Sequence, residues 1–418
     1  MRIYPFKGWR PDPNVVDKII SPPYDVVSTE EAREFASNPY SFMHVVRSEI
    51  DFPEGHDPYA PEIYEKALQN LNNLKEKGFL KRDQKRNFYL YQQVMGKHVQ
   101  TGLVATCHIQ DYIDNNIKKH ELTRKEKEKD RTTHIITTKH NTGPVFLFYK
   151  ENVQLEQFIE EFIKQHEPVY NVTTEDNIKH VFWIVENEED KNKILQYFES
   201  IECLYIADGH HRAASSVNAG KYFMNEAKIE NEDEDHLHFL SIIFPAKQLY
   251  ILDYNRIVMD LNGLTTEEFL NKVKEKFEII EQSAKNNPDE NKPKNLHEIS
   301  IYIEGKWYLL KSKPGIFDEN DILDSLDVNI LYKNILNPIL GIGDPRTDKR
   351  IDFVGGIRGY KELEKLVNSG KAKVAFGMYP TTIEQLMEVS DRNMTMPPKS
   401  TWFEPKLRSG LILHQLVD

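Results

Sequence analysis

The sequence predicts an α/β fold, with α+β elements in its N-terminal part, and three stretches support this prediction. Leu204–Ala207 is a short apolar run that ends at an Asp-Gly pair and precedes small, helix-compatible residues, a pattern typical of strand, tight turn and helix. Val181–Val185 is an apolar run typical of a buried strand, and a helical pattern follows it. Phe88–Val94 and Val99–Ile109 are predicted to form a hairpin. This alternation places the Asp-Gly turn at the carboxyl end of a strand, where α/β folds bind ligands.

Length, charge and cysteine content narrow the class of protein. A chain of 418 residues can form two or three packed units. The formal net charge of −12 argues against nucleic-acid binding, because phosphate contacts need concentrated Lys and Arg. Only Cys107 and Cys203 are present, both in apolar runs, so no disulfide framework is expected. Neither a signal-peptide core nor an apolar run of roughly 18–20 residues occurs, so we expect a cytoplasmic protein without a membrane partner.

The chain is expected to divide into four parts. Residues 1–150 are predicted to form an α+β portion, which begins with an extended stretch rich in proline and aromatic residues. Within it, Val45–Glu49 is interpreted as the end of a strand that carries Arg47 and Glu49. Residues 151–260 are expected to form the core, 261–350 a peripheral subdomain, and 351–418 a C-terminal segment that completes the site.

Residues 117–131 are almost wholly charged and are predicted to form a helix. His120, Arg124, Lys127 and Arg131 recur at steps of four, three and four, which would place them on one helix face. Because like charges at this spacing repel, the stripe is expected to face something negative, such as a phosphate donor. Glu121 beside it could act as a base or as a magnesium ligand. The alternative is a solvated helix that is neutralised by its own acidic residues.

The turn Asp208–Arg212 holds one carboxylate, two imidazoles and one guanidinium. Asp208 is placed to cap the following helix, and Gly209 allows backbone conformations closed to other residues. The N–H groups of a helix start, with Arg212 in the first turn, would form an anion site, for which phosphate is the obvious ligand. Two alternatives stay open: a hydrogen-bonded turn that only braces the fold, and a zinc site, since imidazoles and carboxylates bind zinc.

Two further stretches carry polar groups outside this turn. Met396–Thr401 places Lys399, Ser400 and Thr401 on a loop that proline makes rigid. This loop could cover a phosphate or position a substrate, or it could be a docking segment. The acidic stretch at 231–235 is interpreted as a solvated loop, with metal binding as the alternative.

The Asp-Gly-His-His-Arg turn after an apolar strand resembles the phosphate-binding turn of the ParB/sulfiredoxin-like superfamily. Members of that superfamily include chromosome-partition nucleotide-binding proteins, sulfiredoxin and free-serine kinases. Over the whole chain, the sequence resembles a bacterial and archaeal family known as DUF1015. The matching blocks span nearly the whole chain in order: Pro5–Gly8, Ser21–Val26, Asn38–Phe42, Lys119–Glu121 with Thr123 and Arg124, Asp208–Arg212, and Met396–Thr401.

The resemblance implies a ParB/sulfiredoxin-like core and phosphoryl transfer to the hydroxyl of a small metabolite, with free L-serine first and Mg²⁺ as cofactor. The donor would be pyrophosphate or a nucleoside phosphate such as ATP or ADP; plentiful cationic groups, and no recognised adenine-site motif, favour pyrophosphate. The rivals are a ParB-like nucleotide-binding regulatory protein and a metal-dependent phosphohydrolase. A homodimer and the identity of the base stay open.

Expected roles follow from this interpretation. The residues expected to bind phosphate are Gly209, His210, Arg212, His120, Arg124, Lys127, Arg131 and Lys399. The candidate catalytic residues are Asp208, His211, Glu49 and Glu121. The residues expected to bind the acceptor substrate are Arg47, Ser400 and Thr401.

Overall fold

The computed structural model describes residues 1–226, 234–283 and 285–418. The chain forms two compact units: unit 1 comprises Met1–Leu249 and Pro405–Asp418, and unit 2 comprises Tyr250–Glu404. The four-part division expected from the sequence stays a prediction. Most of the acidic stretch at 231–235 lies outside the described residues.

Unit 1 contains twelve of the strands and nine of the helices found in the described residues, numbered along the chain. Its strands are β1 (Trp9–Pro11), β2 (Leu80–Arg82), β3 (Phe88–Met95), β4 (His98–His108), β5 (Ile117–Lys118), β6 (His140–Asn141), β7 (Val145–Tyr149), β8 (Tyr170–Thr173), β9 (Ile178–Val185), β10 (Leu204–Asp208), β11 (His238–Pro245) and β20 (His414–Gln415). Its helices are α1 (Val16–Ile19), α2 (Thr29–Glu34), α3 (Met43–Val46), α4 (Pro61–Glu76), α5 (Ile109–Ile113), α6 (Lys125–Thr138), α7 (Val153–Gln165), α8 (Glu188–Phe198) and α9 (His210–Asn225).

An eight-stranded mixed sheet organises unit 1, in the order β5-β10-β7-β11-β4-β3-β9-β8. β10 is parallel to β5 and antiparallel to β7, while β3 and β4 form the predicted antiparallel hairpin. A large apolar core cluster packs on this sheet and includes Leu204 and Ile206 of β10. Asp208 therefore lies at the carboxyl end of a buried strand, as predicted.

Helix α9 packs closely on α6 because its first turns carry small side chains. Ala213, Ala214, Ser215 and Ser216 are all buried, and the Oγ of Ser215 donates a hydrogen bond to the carbonyl of Glu128 in α6 (3.0 Å). Small residues allow two helix backbones to approach each other, so the start of α9 is held beside the charged helix.

Unit 2 is built on a six-stranded antiparallel sheet, in the order β14-β16-β15-β18-β13-β17. Its strands are β12 (Tyr250–Leu252), β13 (Tyr254–Val258), β14 (Phe277–Glu281), β15 (Glu298–Ile303), β16 (Lys306–Ser312), β17 (Ile351–Gly355), β18 (Val374–Met378) and β19 (Trp402–Glu404). Its helices are α10 (Thr266–Lys276), α11 (Asp327–Leu331), α12 (Gly359–Asn368) and α13 (Ile383–Asp391), and a π-helical turn, Tyr332–Leu336, extends α11. The mixed α/β fold class is thus confirmed.

Two local predictions are wrong. The charged stretch is not one helix from residue 117: Ile117–Lys118 pairs with β10 as a strand, and α6 begins only at Lys125. His120 and Arg124 therefore do not share a helix face with Lys127 and Arg131. A run of charged residues has little apolar periodicity to fix where a helix starts.

The second wrong prediction concerns Val45–Glu49, which does not end a strand. Met43–Val46 is helical and Ser48–Asp51 is a 3₁₀ turn. Val45 and Val46 are buried in a cluster that includes Leu71 and Leu74 of α4. Tertiary burial has here outweighed the strand propensity of the two valines.

Among the described residues, no helix is both long enough and apolar enough to cross a membrane. The cytoplasmic location and the homodimer stay predictions.

Candidate functional site

The turn between β10 and α9 depends on the left-handed backbone conformation of Gly209. Gly209 has φ +94° and is the N-cap residue of α9. Asp208 does not cap the helix as predicted, because its Oδ1 accepts a hydrogen bond from the adjacent Gly209 N–H (2.9 Å). No side chain of the described residues caps α9. The first N–H groups of α9 have no intrahelical acceptor, as at any helix start. This end of α9 can therefore accept an anion.

Arg212 lies buried beside this turn with part of its hydrogen-bonding capacity unused. Its Nη1 donates to the Pro144 carbonyl, and its Nη2 lies 3.5 Å from Oδ2 of Asp208 and 3.6 Å from Oδ2 of Asp25. Among the residues that the structure describes, its buried Nε has no hydrogen-bond partner. A guanidinium has five N–H donors, and leaving a buried donor unpaired costs free energy. We therefore expect Arg212 to bind a further hydrogen-bond acceptor.

Lys406 is a residue of this site that the sequence did not reveal. Its Nζ lies 3.3 Å from Oδ2 of Asp208, and its side chain is mostly buried. Burial alone would raise the pKa of Asp208, but Lys406 and Arg212 outweigh it and hold that pKa well below its usual range. No motif marks Lys406; the nearest signal is its position just after the Met396–Thr401 block.

His210 is buried against His120 in an edge-to-face contact, with ring centroids 4.5 Å apart. The backbone N–H of His120 lies 3.4 Å from the Nε2 of His210, which assigns the imidazole proton to Nδ1. Nδ1 in turn lies 3.9 Å from Oε2 of Glu121. Burial, followed by the charge of His120, lowers the pKa of His210 well below 6.5, so this ring is neutral near pH 7.

His211 lies on the more exposed side of the turn. Its Nε2 accepts a hydrogen bond from the backbone N–H of Arg124 (3.0 Å), so its proton also belongs on Nδ1. Burial and then the charge of Arg124 lower the pKa of His211. The segment before α6 thus touches both histidines, through His120 and Arg124, although neither residue lies in the helix.

Arg131 and Lys127 lie on α6 and have aromatic neighbours. The guanidinium of Arg131 is 4.4 Å from the ring centroid of Tyr24, and its Nε donates to Asp130 (2.9 Å). The Nζ of Lys127 donates to the hydroxyl of Tyr59 (3.2 Å). Arg131 also borders a small cavity of about 30 Å³ next to Arg212, lined in addition by Tyr24, His134, Asn141, Gly143, Ser216 and Ser409.

Arg47 and Glu49 form an ion pair, with 2.5 Å between Nε and Oε1. Arg47 also donates to the Tyr24 carbonyl (2.9 Å) and to the Thr29 hydroxyl (2.9 Å), so its guanidinium fixes the N-terminal segment. Burial would lower the pKa of Arg131, but Asp130, Tyr24 and Glu49 together raise it. Glu49 is therefore an electrostatic neighbour of the Arg131 end of the site.

Lys399, Ser400 and Thr401 belong to unit 2. The Lys399 carbonyl accepts a hydrogen bond from Arg256 (2.9 Å), and the Ser400 hydroxyl donates to the Pro397 carbonyl (2.7 Å). Their predicted place beside the phosphate turn stays a prediction. The other candidates of unit 1 form one neighbourhood around Arg212, His210 and Arg131.

Within the ranges that the structure describes, no group of three or more His, Cys, Asp or Glu side chains could hold a metal ion.

Comparison with protein families identifies the chain. The model of the family described as "Protein of unknown function (DUF1015)" matches residues 3–329. The chain belongs to the DUF1015 family. A search of curated proteins found no match for this DUF1015 protein.

Solved structures resemble the DUF1015 protein only distantly. A mutant free serine kinase in complex with AMP has 12% identity and a TM-score of 0.36, and the match covers 72% of this chain and 86% of the kinase. A conserved hypothetical protein from Pyrococcus furiosus has 13% identity and a TM-score of 0.35, covering 73% and 93% of the two chains. C-terminally truncated SbnI from Staphylococcus aureus has 8% identity and a TM-score of 0.35, covering 72% and 82%. Similarity at this level carries no conclusion about activity.

Proposed function

We propose that this DUF1015 protein transfers a phosphoryl group to the hydroxyl of a small metabolite, with free L-serine as the first candidate, in a core of the ParB/sulfiredoxin-like type. The donor would be pyrophosphate or a nucleoside phosphate such as ATP or ADP. The observation that carries the proposal is Arg212, a buried guanidinium at the start of α9 whose Nε has no hydrogen-bond partner within the described part of the chain. The resemblance of the Asp208–Arg212 turn to phosphate-binding turns supports the same assignment.

The donor phosphates would bind at the start of α9. Phosphoryl transfer depends mainly on positioning and charge neutralisation, because negative charge is spread over the transferred group. The N–H groups of the first helical turn, the unpaired Nε of Arg212 and the Nζ of Lys406 supply both. Asp208 would keep the two cations in place, since its Oδ2 lies within 3.5 Å of each.

The carboxylates near Arg212 are of the ligand type that Mg²⁺ binds in proteins. Mg²⁺ is usually held by one or two carboxylates together with substrate phosphates. Asp25 and Asp208 each place an Oδ2 beside the Nη2 of Arg212, and these two residues would hold the ion. When bound, Mg²⁺ neutralises charge on the donor phosphates.

The proton of the acceptor hydroxyl would go to Glu121 or Glu49. Asp208 is a weak acceptor because Lys406 and Arg212 overcome the effect of burial and hold its pKa low. Burial lowers the pKa of both His210 and His211, and each Nε2 faces a backbone N–H. Glu121, 3.9 Å from the Nδ1 of His210, and Glu49 are the remaining predicted bases.

Phosphorus NMR tests the proposal directly. The protein is incubated with Mg²⁺ and L-serine, and pyrophosphate, ATP and ADP are offered separately. We expect O-phosphoserine from one donor, together with phosphate from pyrophosphate, ADP from ATP or AMP from ADP. Asp208→Asn should remove this signal. Asp12→Asn is the matched control, because Asp12 also pairs with a lysine of unit 1, Lys81.

Two results would contradict the proposal. One is no phosphoserine with any donor and no reverse reaction from phosphoserine. The other is equal activity in Asp208→Asn and wild type. Donor binding without turnover would instead favour a nucleotide-binding regulatory protein.

A further inference from the structure

Unit 2 contains a cavity of about 400 Å³ with a buried arginine in its wall. The volume is in the range of small-molecule sites, roughly 300–1,000 Å³. The residues that matter for its chemistry are Arg256, Asn329, Tyr332, Phe353, Pro397 and Pro398. All of them belong to unit 2, and none belongs to the Asp208–Arg212 turn.

Arg256 carries a charge that no carboxylate balances within the described residues. It lies on the central part of β13, is only 4% exposed, and donates from Nη1 to the Tyr254 carbonyl and from Nη2 to the Lys399 carbonyl (2.9 Å). Burial lowers its pKa to about 10, although the Tyr254 side chain acts in the opposite direction. Buried charges are normally paired, because their desolvation is costly.

The two carbonyl contacts leave much of this guanidinium unused. A guanidinium has five N–H donors, and two backbone carbonyls bring partial charges but no full negative charge. If Arg256 only braced the Lys399 loop, a neutral donor could make the same two bonds without the cost of a buried charge. A ligand that brings its own negative charge accounts for both the arginine and the cavity.

The other walls of the cavity indicate what accompanies this negative charge. The ring of Phe353 has its centroid 5.5 Å from the Cζ of Arg256, and Tyr332 and two prolines provide apolar surface. Arg346 also borders the cavity, but it pairs with Asp344 at 2.7 Å. The charges of Arg346 and Asp344 cancel each other. Among Arg256, Arg346 and Asp344, the net charge presented to a ligand is therefore the positive charge of Arg256.

We infer that this cavity binds a small organic anion, whose carboxylate or phosphate group contacts Arg256 and whose apolar or aromatic part packs on Phe353 and Tyr332. The inference does not rest on the proposed phosphoryl transfer. It assigns to unit 2 a separate ligand, a small organic anion.

Pairs of charged and neutral probes test this inference on the full-length protein. Calorimetric titration compares benzoate with benzamide, and phenyl phosphate with phenol. We expect each anion to bind at least tenfold more tightly than its neutral partner. Arg256→Gln should remove this difference, while Arg346→Lys, which keeps the positive charge paired with Asp344, should leave it.

Further variants separate the two units and allow for a failure to fold. Arg212→Gln should not change benzoate binding, because Arg212 belongs to unit 1, whereas it should abolish any phosphoserine formation. Phe353→Ala keeps Arg256 and should weaken benzoate binding several-fold, so it serves if Arg256→Gln does not fold. Equal binding of benzoate and benzamide overturns the inference, as does unchanged benzoate binding in folded Arg256→Gln or in Phe353→Ala.

Discussion

The Nζ of Lys406 lies 3.3 Å from the Oδ2 of Asp208, although 198 residues separate the two along the chain. With Arg212, Lys406 gives Asp208 two cationic neighbours and keeps its carboxyl ionised, although burial alone would favour the neutral form. The turn after β10 thus depends on a residue that is distant from it in the sequence.

Lys406→Gln should impair phosphoryl transfer more than folding. The change removes one cation from the proposed donor site and leaves the Arg212–Asp208 contact in place. We expect the KM for the phosphate donor to rise at least tenfold, measured by phosphorus NMR or a coupled phosphate assay. Lys247→Gln removes an exposed lysine that pairs with Glu156 and should leave the KM unchanged. A normal donor KM in Lys406→Gln would exclude Lys406 from the site.

Gly209→Ala should abolish anion binding at the turn, because the new Cβ would strain the backbone and would also lie against Arg212. A Cβ on Gly209 would lie 3.1 Å from the Cζ and from the Nε of Arg212, and φ is +94°. Gly96→Ala is a matched control, because Gly96 also has positive φ but, apart from its chain neighbours, no described residue has an atom within 4 Å of the new Cβ. Both variants should lose about 1–2 kcal/mol of unfolding free energy in denaturant titrations. Only Gly209→Ala should lose binding of pyrophosphate, measured by calorimetry; equal binding in both would contradict the role of Arg212.

Arg212→Lys should weaken anion binding although it keeps the charge. Lysine has no planar fork and no Nε donor, so it cannot hold Pro144 and a phosphate together. We expect pyrophosphate affinity to fall at least tenfold. Arg408→Lys is the control, since Arg408 is also buried but its guanidinium pairs with Asp176 instead of Asp208. If both variants bind pyrophosphate like the wild type, Arg212 is only a structural residue.

Glu121→Gln and Glu49→Gln distinguish the two proposed bases. Each keeps the shape of the side chain and removes its ability to accept a proton. The variant of the true base should lower kcat by about 10²–10⁴-fold, with a smaller change in donor KM. Glu49→Gln also weakens the ion pair with Arg47, so its thermal stability is measured in parallel. Wild-type kcat in both variants would remove both residues from proton transfer.

The free energy of unfolding should decrease in acid, because burial lowers the pKa of two histidines in the folded chain. Burial lowers the pKa of His120 and of His134 from 6.5 to about 4. Below pH 6.5 the unfolded chain therefore binds protons that the folded chain does not, and the unfolding free energy decreases until about pH 4. Each histidine can contribute up to about 3 kcal/mol to this loss. Urea titrations at several pH values should show a smaller decrease for His134→Gln; an unchanged slope would contradict the expectation.

Local sequence signals predicted much of the fold because they depend on neighbouring residues. The hairpin of β3 and β4, the strand β10 and the positive φ of Gly209 all follow from patterns a few residues long. The short pattern Ser28-x-x-Glu31, which is typical of a capping box, also forms one at the start of α2.

The rest depended on contacts between distant parts of the chain. Lys406 is near Asp208 only because the C-terminal segment returns to unit 1, and sequence spacing cannot show this. The start of α6 was misplaced because burial of Ile117 against β10 outweighs the helical preference of the charged residues that follow. Val45 and Val46 were misassigned because their burial beside α4 was not visible in the sequence.

The return of Pro405–Asp418 to unit 1 also bears on the order of events during synthesis. Trp9 hydrogen-bonds to Leu413, Ser21 to Ser409, and β20 pairs with β6, so the last segment joins elements made much earlier. A ribosome delivers that segment only after all of Tyr250–Glu404 has emerged. Until then Asp208 lacks its lysine, and the turn after β10 in the nascent chain is incomplete. The proposed site would therefore be completed only after Pro405–Asp418 has emerged, whatever the speed at which the sheet itself forms.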